Sequence, residues 1–188
     1  CAAERQLPLQ NLKMPDGFSV EIYARVPGAR AITVVPELKA LIVGTNDGHG
    51  IYAAVDENGD GKPDKTMKVV DGLKNSNGAV WLKGKLYIAD QTQVLRYDAP
   101  DIAALQKATP EVVYKGLTAS SHHGQRYTAV GPDGKLYVSA GSPCNVCEPK
   151  DNEGGILQID PATGKTEDRK STRLNSSHVS ESRMPSSA

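Results

Sequence analysis

Three short stretches of the chain carry residue types that do chemistry. The first is Ser121-His122-His123-Gly124. Histidine is the side chain whose ordinary pKa lies near neutrality, so one at the lip of a binding funnel serves as a general base. A surface pair with no role is the other reading. The second is Cys144-Asn145-Val146-Cys147. Covalent haem attachment needs a histidine after the second cysteine, and position 148 is Glu. A zinc site needs a second cysteine pair, and the remaining cysteine is the distant Cys1. A local disulfide and a reduced thiol pair are the readings that stand. The third stretch sets the oxygen donors Asp56, Asn58, Asp60 and Asp64 at alternating positions around a glycine turn, as calcium loops do. The twelfth position of an EF-hand loop would be Met67 instead of Glu, so it is no EF-hand. A peripheral calcium site and a plain hairpin joining two outer strands both fit it. No Ser-His-Asp arrangement, Walker motif or dinucleotide fingerprint occurs.

The elements that must hold these residues repeat along the chain. Residues 18–26 alternate as a strand does and are followed by strand patterns at 31–35, 40–44 and 50–55. A second unit runs through 68–73, 79–82, 85–89 and 93–97, and a third through 111–117, 127–130, 135–139 and 155–159. The units begin near residues 18, 66 and 111, a spacing of 48 and then 45. Four short strands of that period cannot bury both faces alone, so the pattern predicts an all-β fold of four-stranded blades packed as a β-propeller. Three blades do not close a ring. In a propeller all loops of one class emerge on one face, so residues 27–30, 75–78 and 119–125 should converge, with His123 among them. Tyr52, Trp81, Tyr87, Tyr97 and Tyr137 lie within strands and read as core between blades. A short helical turn is expected at 101–107, with Ile102, Ala103 and Leu105 on one face.

Composition narrows the class. Twenty-two Lys+Arg balance twenty-two Asp+Glu, so the zero net charge offers no basic field for nucleic acid. The longest apolar runs are far too short to cross a bilayer. Eighteen Gly and twelve Pro, with one Phe and one Trp, argue for turns and short strands over a helical bundle.

At residues 122–138, His-His-Gly-Gln-Arg-Tyr-Thr-Ala-Val-Gly-Pro-Asp-Gly-Lys-Leu-Tyr-Val, the chain resembles the pyrroloquinoline-quinone-dependent sugar and sorbosone dehydrogenases. Residues 142–149 and Asn77-Gly78 add to that likeness, which covers about residues 14–167. The resemblance implies a six-bladed propeller of which this chain holds about three blades, with calcium and pyrroloquinoline quinone as cofactors. Counting back from Gly131-Pro132-Asp133, His123 falls on the family's catalytic histidine. That residue takes the hydroxyl proton of a sugar or sorbosone-like aldehyde hydrate while hydride goes to the quinone. His122 takes the place of its polar neighbour, and Asn77 that of a quinone-pocket residue. Ser76 stands where the glucose enzyme has Gln, which leaves substrate and pocket open. The family's Arg-Asn motif, its basic residues on the quinone carboxylates and its quinone-bridging calcium ligands fall outside the matching stretch. A respiratory quinone or cytochrome c would take the electrons. In the periplasm such a family implies, a disulfide between Cys144 and Cys147 is the expected state. A calcium-dependent lactonase-type propeller and a non-catalytic binding propeller are the rival readings. Glu21, Glu111 and the other carboxylates do not converge on the upper loops, which counts against the lactonase.

Both ends are unusual. The chain starts at Cys1, as a mature bacterial lipoprotein does, with residues 1–17 as a tether to the membrane; a trimmed start is the other reading. Residues 168–188 lack apolar periodicity and are crowded with Ser and Arg, so composition predicts a disordered tail. In both halves that tail also resembles the in-frame translation of a short-read sequencing adaptor. The expectation is a native product that continues past Glu167, with the propeller part at 18–167.

Overall fold

The computed structural model describes residues 8–46, 50–119, 122–146, 148, 150 and 152–168. Twelve strands form three antiparallel sheets of four, each taken in chain order, so the described part is an arc of three propeller blades. The first blade is β1 (Ala29–Val35), β2 (Ala40–Thr45), β3 (Ile51–Val55) and β4 (Lys65–Val70). The second is β5 (Gly78–Leu82), β6 (Lys85–Ala89), β7 (Gln93–Asp98) and β8 (Glu111–Lys115). The third is β9 (Thr128–Val130), β10 (Leu136–Ser139), β11 (Ile156–Ile159) and β12 (Thr166–Asp168).

Turn chemistry closes the hairpins. Leu82 pairs with Lys85, and the two residues between them, Lys83 and Gly84, both have positive φ, 50° and 78°. Two left-handed residues in a two-residue loop make the turn whose twist matches the strands it joins. Between β7 and β8 lies the helical turn α1 (Ile102–Leu105), capped by the Asp101 carboxylate, which accepts the Ala104 N–H at 2.7 Å. Leu105 and Ile102 point inward as expected, but Ala104 packs against the core and Ala103 is exposed.

Period-two alternation sends the side chains of the middle blade to both neighbours. Ala79, Leu86, Ile88, Leu95 and Tyr97 join Val35, Ile42, Ile51 and Ala53 in a core between the first and second blades. Val80, Tyr87, Ala89 and Val94 join Leu136, Val138, Leu157 and Ile159 in a core between the second and third. Tyr87 and Tyr97 are thus buried between blades, and Trp81 packs partly buried against the first core.

Two expectations from the repeat need correction. The blades start one strand later than the pattern suggested: Lys65–Val70 and Glu111–Lys115 close a blade as its outer strand instead of opening the next. Their neighbours β3 and β7 are joined to them by local hairpin-type connections, whereas the polar stretches 71–77 and 116–127 are crossovers to the next blade. Residues 18–26 form no strand. They alternate as a strand does, but a strand forms only by pairing, and among the described residues none of the three sheets takes them as a partner. Asp168, assigned to the tail, ends β12 and pairs with Leu157. Residues 1–7 and 169–188 lie outside the described residues.

Candidate active site on the convergent loops

The loops expected to converge do so. Arg30 Nη2 donates to Gln125 Oε1 at 3.1 Å, bridging the first blade and the crossover into the third. Gln91, in the β6–β7 turn, donates through Nε2 to the Ala119 carbonyl at 2.8 Å and accepts from Asn75 Nδ2 at 3.5 Å. Glycines permit this approach. A Cβ on Gly78 would stand 2.3 Å from the Arg126 carbonyl oxygen, and one on Gly141 would stand 2.0 Å from that of His123.

His122 and His123 sit on the crossover into β9, both exposed, with their rings edge to face at 4.1 Å between centroids. His123 has φ 50°, a left-handed conformation that non-glycine residues seldom take and that clusters at functional sites. Its Nδ1 lies 3.1 Å from the Ser142 carbonyl oxygen. A carbonyl only accepts, so Nδ1 carries the proton and the neutral ring keeps the lone pair on Nε2. His122 Nε2 donates to Asn145 Oδ1 at 3.3 Å. Both contacts come from the loop after β10, the loop that holds the cysteine pair. Ser142 Oγ donates to the Cys144 carbonyl at 2.8 Å, and Cys144 is disulfide-bonded. Cys147, its expected partner, lies outside the described residues, as do Cys1 and Ser121.

Ser76 and Asn77, read as pocket residues, precede β5 and are buried. The Ser76 hydroxyl and the Asn77 carboxamide oxygen have no hydrogen-bond partner, nor has Thr128 Oγ1, which packs against Gly78. A fourth such atom, Trp81 Nε1, lies further along β5. Each unmet buried polar group costs about 1–3 kcal/mol, so three at one place suit a polar group supplied from outside. The Ser76 and Thr128 hydroxyls can donate to a ligand's carbonyl or carboxylate oxygens, whereas Asn77 Oδ1 can only accept and needs an N–H or O–H. Thr128 was not singled out in the sequence, because nothing in the Thr-Ala-Val pattern separates it from an ordinary strand residue.

The Asp56–Asp64 hairpin lies elsewhere, between β3 and β4. Asp56 accepts the N–H groups of Gly59 and Gly61 at 2.7 and 2.9 Å, and Asp64 accepts those of Glu57 and Asn58 at 2.7 and 3.3 Å. Asn58 and Asp60 accept from the backbone two residues on, at 2.8 and 2.9 Å. The four oxygen-bearing side chains are turned onto backbone amides, and among the described residues no three His, Cys, Asp or Glu gather as metal ligands.

Arg126 went unremarked within its motif, since arginine is seldom fully buried and sequence gives no sign of it. Here it has no exposed surface. Nε donates to the Gln91 carbonyl at 3.3 Å, Nη1 to that of His123 at 3.3 Å and Nη2 to that of Thr118 at 2.7 Å. Burial pushes the guanidinium below its ordinary pKa.

Residues 39–183 match the family described as a domain of unknown function, DUF7133. The chain belongs to that family. No curated protein matches it. Among solved structures this DUF7133 chain is similar to the holo form of the pyranose dehydrogenase PQQ domain from Coprinopsis cinerea. That match has 17% identity and a TM-score of 0.61, covering 73% of this chain and 34% of that one. A Trichoderma reesei protein of Carbohydrate-Active Enzymes Family AA12 matches at 18% identity and TM-score 0.64, over 79% and 40% of the two chains. The PQQ-bound aldose sugar dehydrogenase from Streptomyces coelicolor matches at 17% and 0.54, over 73% and 46%. At these identities the likeness is one of fold, and this DUF7133 chain spans less than half the length of each.

Proposed function

We propose that this DUF7133 chain is the amino-terminal part of a quinoprotein dehydrogenase that oxidises a sugar or a sorbosone-like aldehyde hydrate, with His123 as general base. The observation that carries the reading is the Nδ1 contact of His123 with the Ser142 carbonyl, which puts the lone pair of the neutral ring on Nε2, on the convergent face of a propeller arc. The fold shared with a holo pyranose dehydrogenase PQQ domain and a PQQ-bound aldose sugar dehydrogenase supports the choice of chemistry.

In this mechanism a substrate hydroxyl donates to His123 Nε2, and the ring accepts its proton as the C–H bond is broken. Proton acceptance puts a positive charge on the imidazole, which the Ser142 carbonyl stabilises through Nδ1–H. His122, held by Asn145, packs edge-on against the base and limits the ring's rotation. Asn77 Oδ1 would accept from an N–H or O–H, and the Ser76 and Thr128 hydroxyls would hold pyrroloquinoline quinone by donating to its oxygens. When bound, that group supplies a two-electron acceptor for hydride. A respiratory quinone or cytochrome c in the periplasm would be the partner that takes the electrons.

The test is dye reduction by the complete propeller protein, loaded with pyrroloquinoline quinone and calcium, across aldoses and aldehydes. Turnover with at least one substrate is expected, and His123→Ala should lower kcat by about 10²–10⁴-fold. Turnover unchanged in His123→Ala would overturn the assignment of the base. No quinone-dependent turnover with any substrate would favour a propeller that only binds a partner or glycan.

A further inference from the structure

We propose that Arg126 is a positioning residue that locks the His123 imidazole in its Nδ1–H form by clamping the backbone on which it sits. The proposal rests on the reading of His123 as the base. Three observations carry it. Arg126 is wholly buried, although a buried cation is costly and an aliphatic side chain would fill the same space. Its guanidinium donates to three backbone carbonyls, of Gln91, Thr118 and His123, drawn from the β6–β7 turn of the second blade and from two points along the crossover that carries the histidines. And the residue it clamps is the one that takes φ 50° in that crossover.

These contacts work together. A left-handed non-glycine residue persists only where its surroundings over-determine it. At His123 the surroundings are the guanidinium on its carbonyl, Gly141 packed against that carbonyl and the Ser142 oxygen on the ring. The planar fork of an arginine has donors diverging in fixed directions, so a single head group reaches three carbonyls at once. A lysine keeps the charge but concentrates its donors on one nitrogen and cannot span them. Gln91 ties the same turn to the crossover a second time through Ala119, so the clamp has a rigid second-blade anchor. Freed of the guanidinium, His123 can relax toward negative φ, which swings Nδ1 off the Ser142 carbonyl and lets the proton move to Nε2. The lone pair needed at Nε2 is then lost in most molecules.

The experiment is long-range ¹H–¹⁵N NMR of the imidazole nitrogens in the full chain, as wild type, Arg126→Lys and Arg126→Met, with a thermal melt of each. Wild type should give the ¹⁵N pattern of an Nδ1–H ring at His123. Both variants should shift it toward the Nε2–H pattern while still melting cooperatively. A folded variant with the wild-type His123 pattern would reduce Arg126 to core filler and overturn the proposal. If neither variant folds, the wild-type chain decides. A through-bond correlation from an Arg126 N–H to the His123 carbonyl carbon is required, and its absence overturns the clamp. These readouts do not involve turnover. Activity retained in His123→Ala would therefore remove the base reading and leave the clamp standing, and the reverse holds equally.

Discussion

At His123 a backbone constraint and a ring constraint act on one residue: positive φ below, and a carbonyl holding Nδ1 above. Gly141 is the residue that makes both possible, because any Cβ there would overlap the His123 carbonyl. Gly141→Ala should therefore cost about 1–3 kcal/mol, as overpacking does, and should disturb His123 more than any other histidine. Denaturant unfolding measures the first effect and imidazole NMR the second; an unshifted His123 would show that the crossover gives way elsewhere. Two carboxylates make a separate prediction in acid. Asp133 is held below its ordinary value of 3.8 chiefly by the Lys135 N–H, with help from the Tyr137 hydroxyl. Asp160 is held low by the N–H groups of Ala162 and Thr163. A depressed folded pKa contributes stability that is present above about pH 3.8 and is lost as pH falls through the folded value. The denaturation midpoint should be flat with respect to these groups above pH 5 and fall below 4, less steeply in Asp133→Asn and Asp160→Asn. Equal slopes in variant and wild type would count against it.

At the scale of elements, the hairpin between β3 and β4 is a turn built from its own acids. Asp56 and Asp64 each accept two backbone amides, which is enough to hold the turn together. Asp64→Ala should lower the melting temperature in calcium-free buffer, and added calcium should not shift the wild-type midpoint. A calcium-dependent rise would restore the cation-site reading. The strands themselves were largely legible, since alternation and turn residues mark nearly all of them. Their grouping was not. A period near 47 residues says how often a blade recurs but not which strand comes first, because that depends on which loops are tight hairpins and which are crossovers. For the same reason 18–26 read as a strand: alternation reports two faces, not the presence of an edge to pair with.

Across the whole molecule the middle blade has both faces covered, and the outer blades have one each. Ile32 and Val34 are about two-thirds exposed on the far face of β1, and Ile156 about half exposed on that of β11. Their counterparts on the covered faces, Val35 and Ile159, are fully buried. Exposed apolar sheet faces of this kind mark surfaces that another layer covers. With the proposed quinoprotein parent, the source locus read with long reads through the codon for Glu167 should continue in frame into about three more blades. A stop after Ala188 in genomic DNA would remove the enzyme reading.

What the chain's residues determined unaided was local: strand alternation, the repeat, the positive-φ turns and the histidine and cysteine motifs, all set by neighbours a few positions apart. The approach of Arg30 to Gln125 followed from the repeat, because a propeller must bring one class of loop to one face. Only the tertiary structure could decide that Ser142 would hold the His123 ring, that Arg126 would be buried with three carbonyls around it, and that Ser76, Asn77 and Thr128 would be left with unmet polar atoms. Those outcomes depend on which loop packs over which, and the contacts join groups from different strands and blades that carry no mark of one another in the sequence.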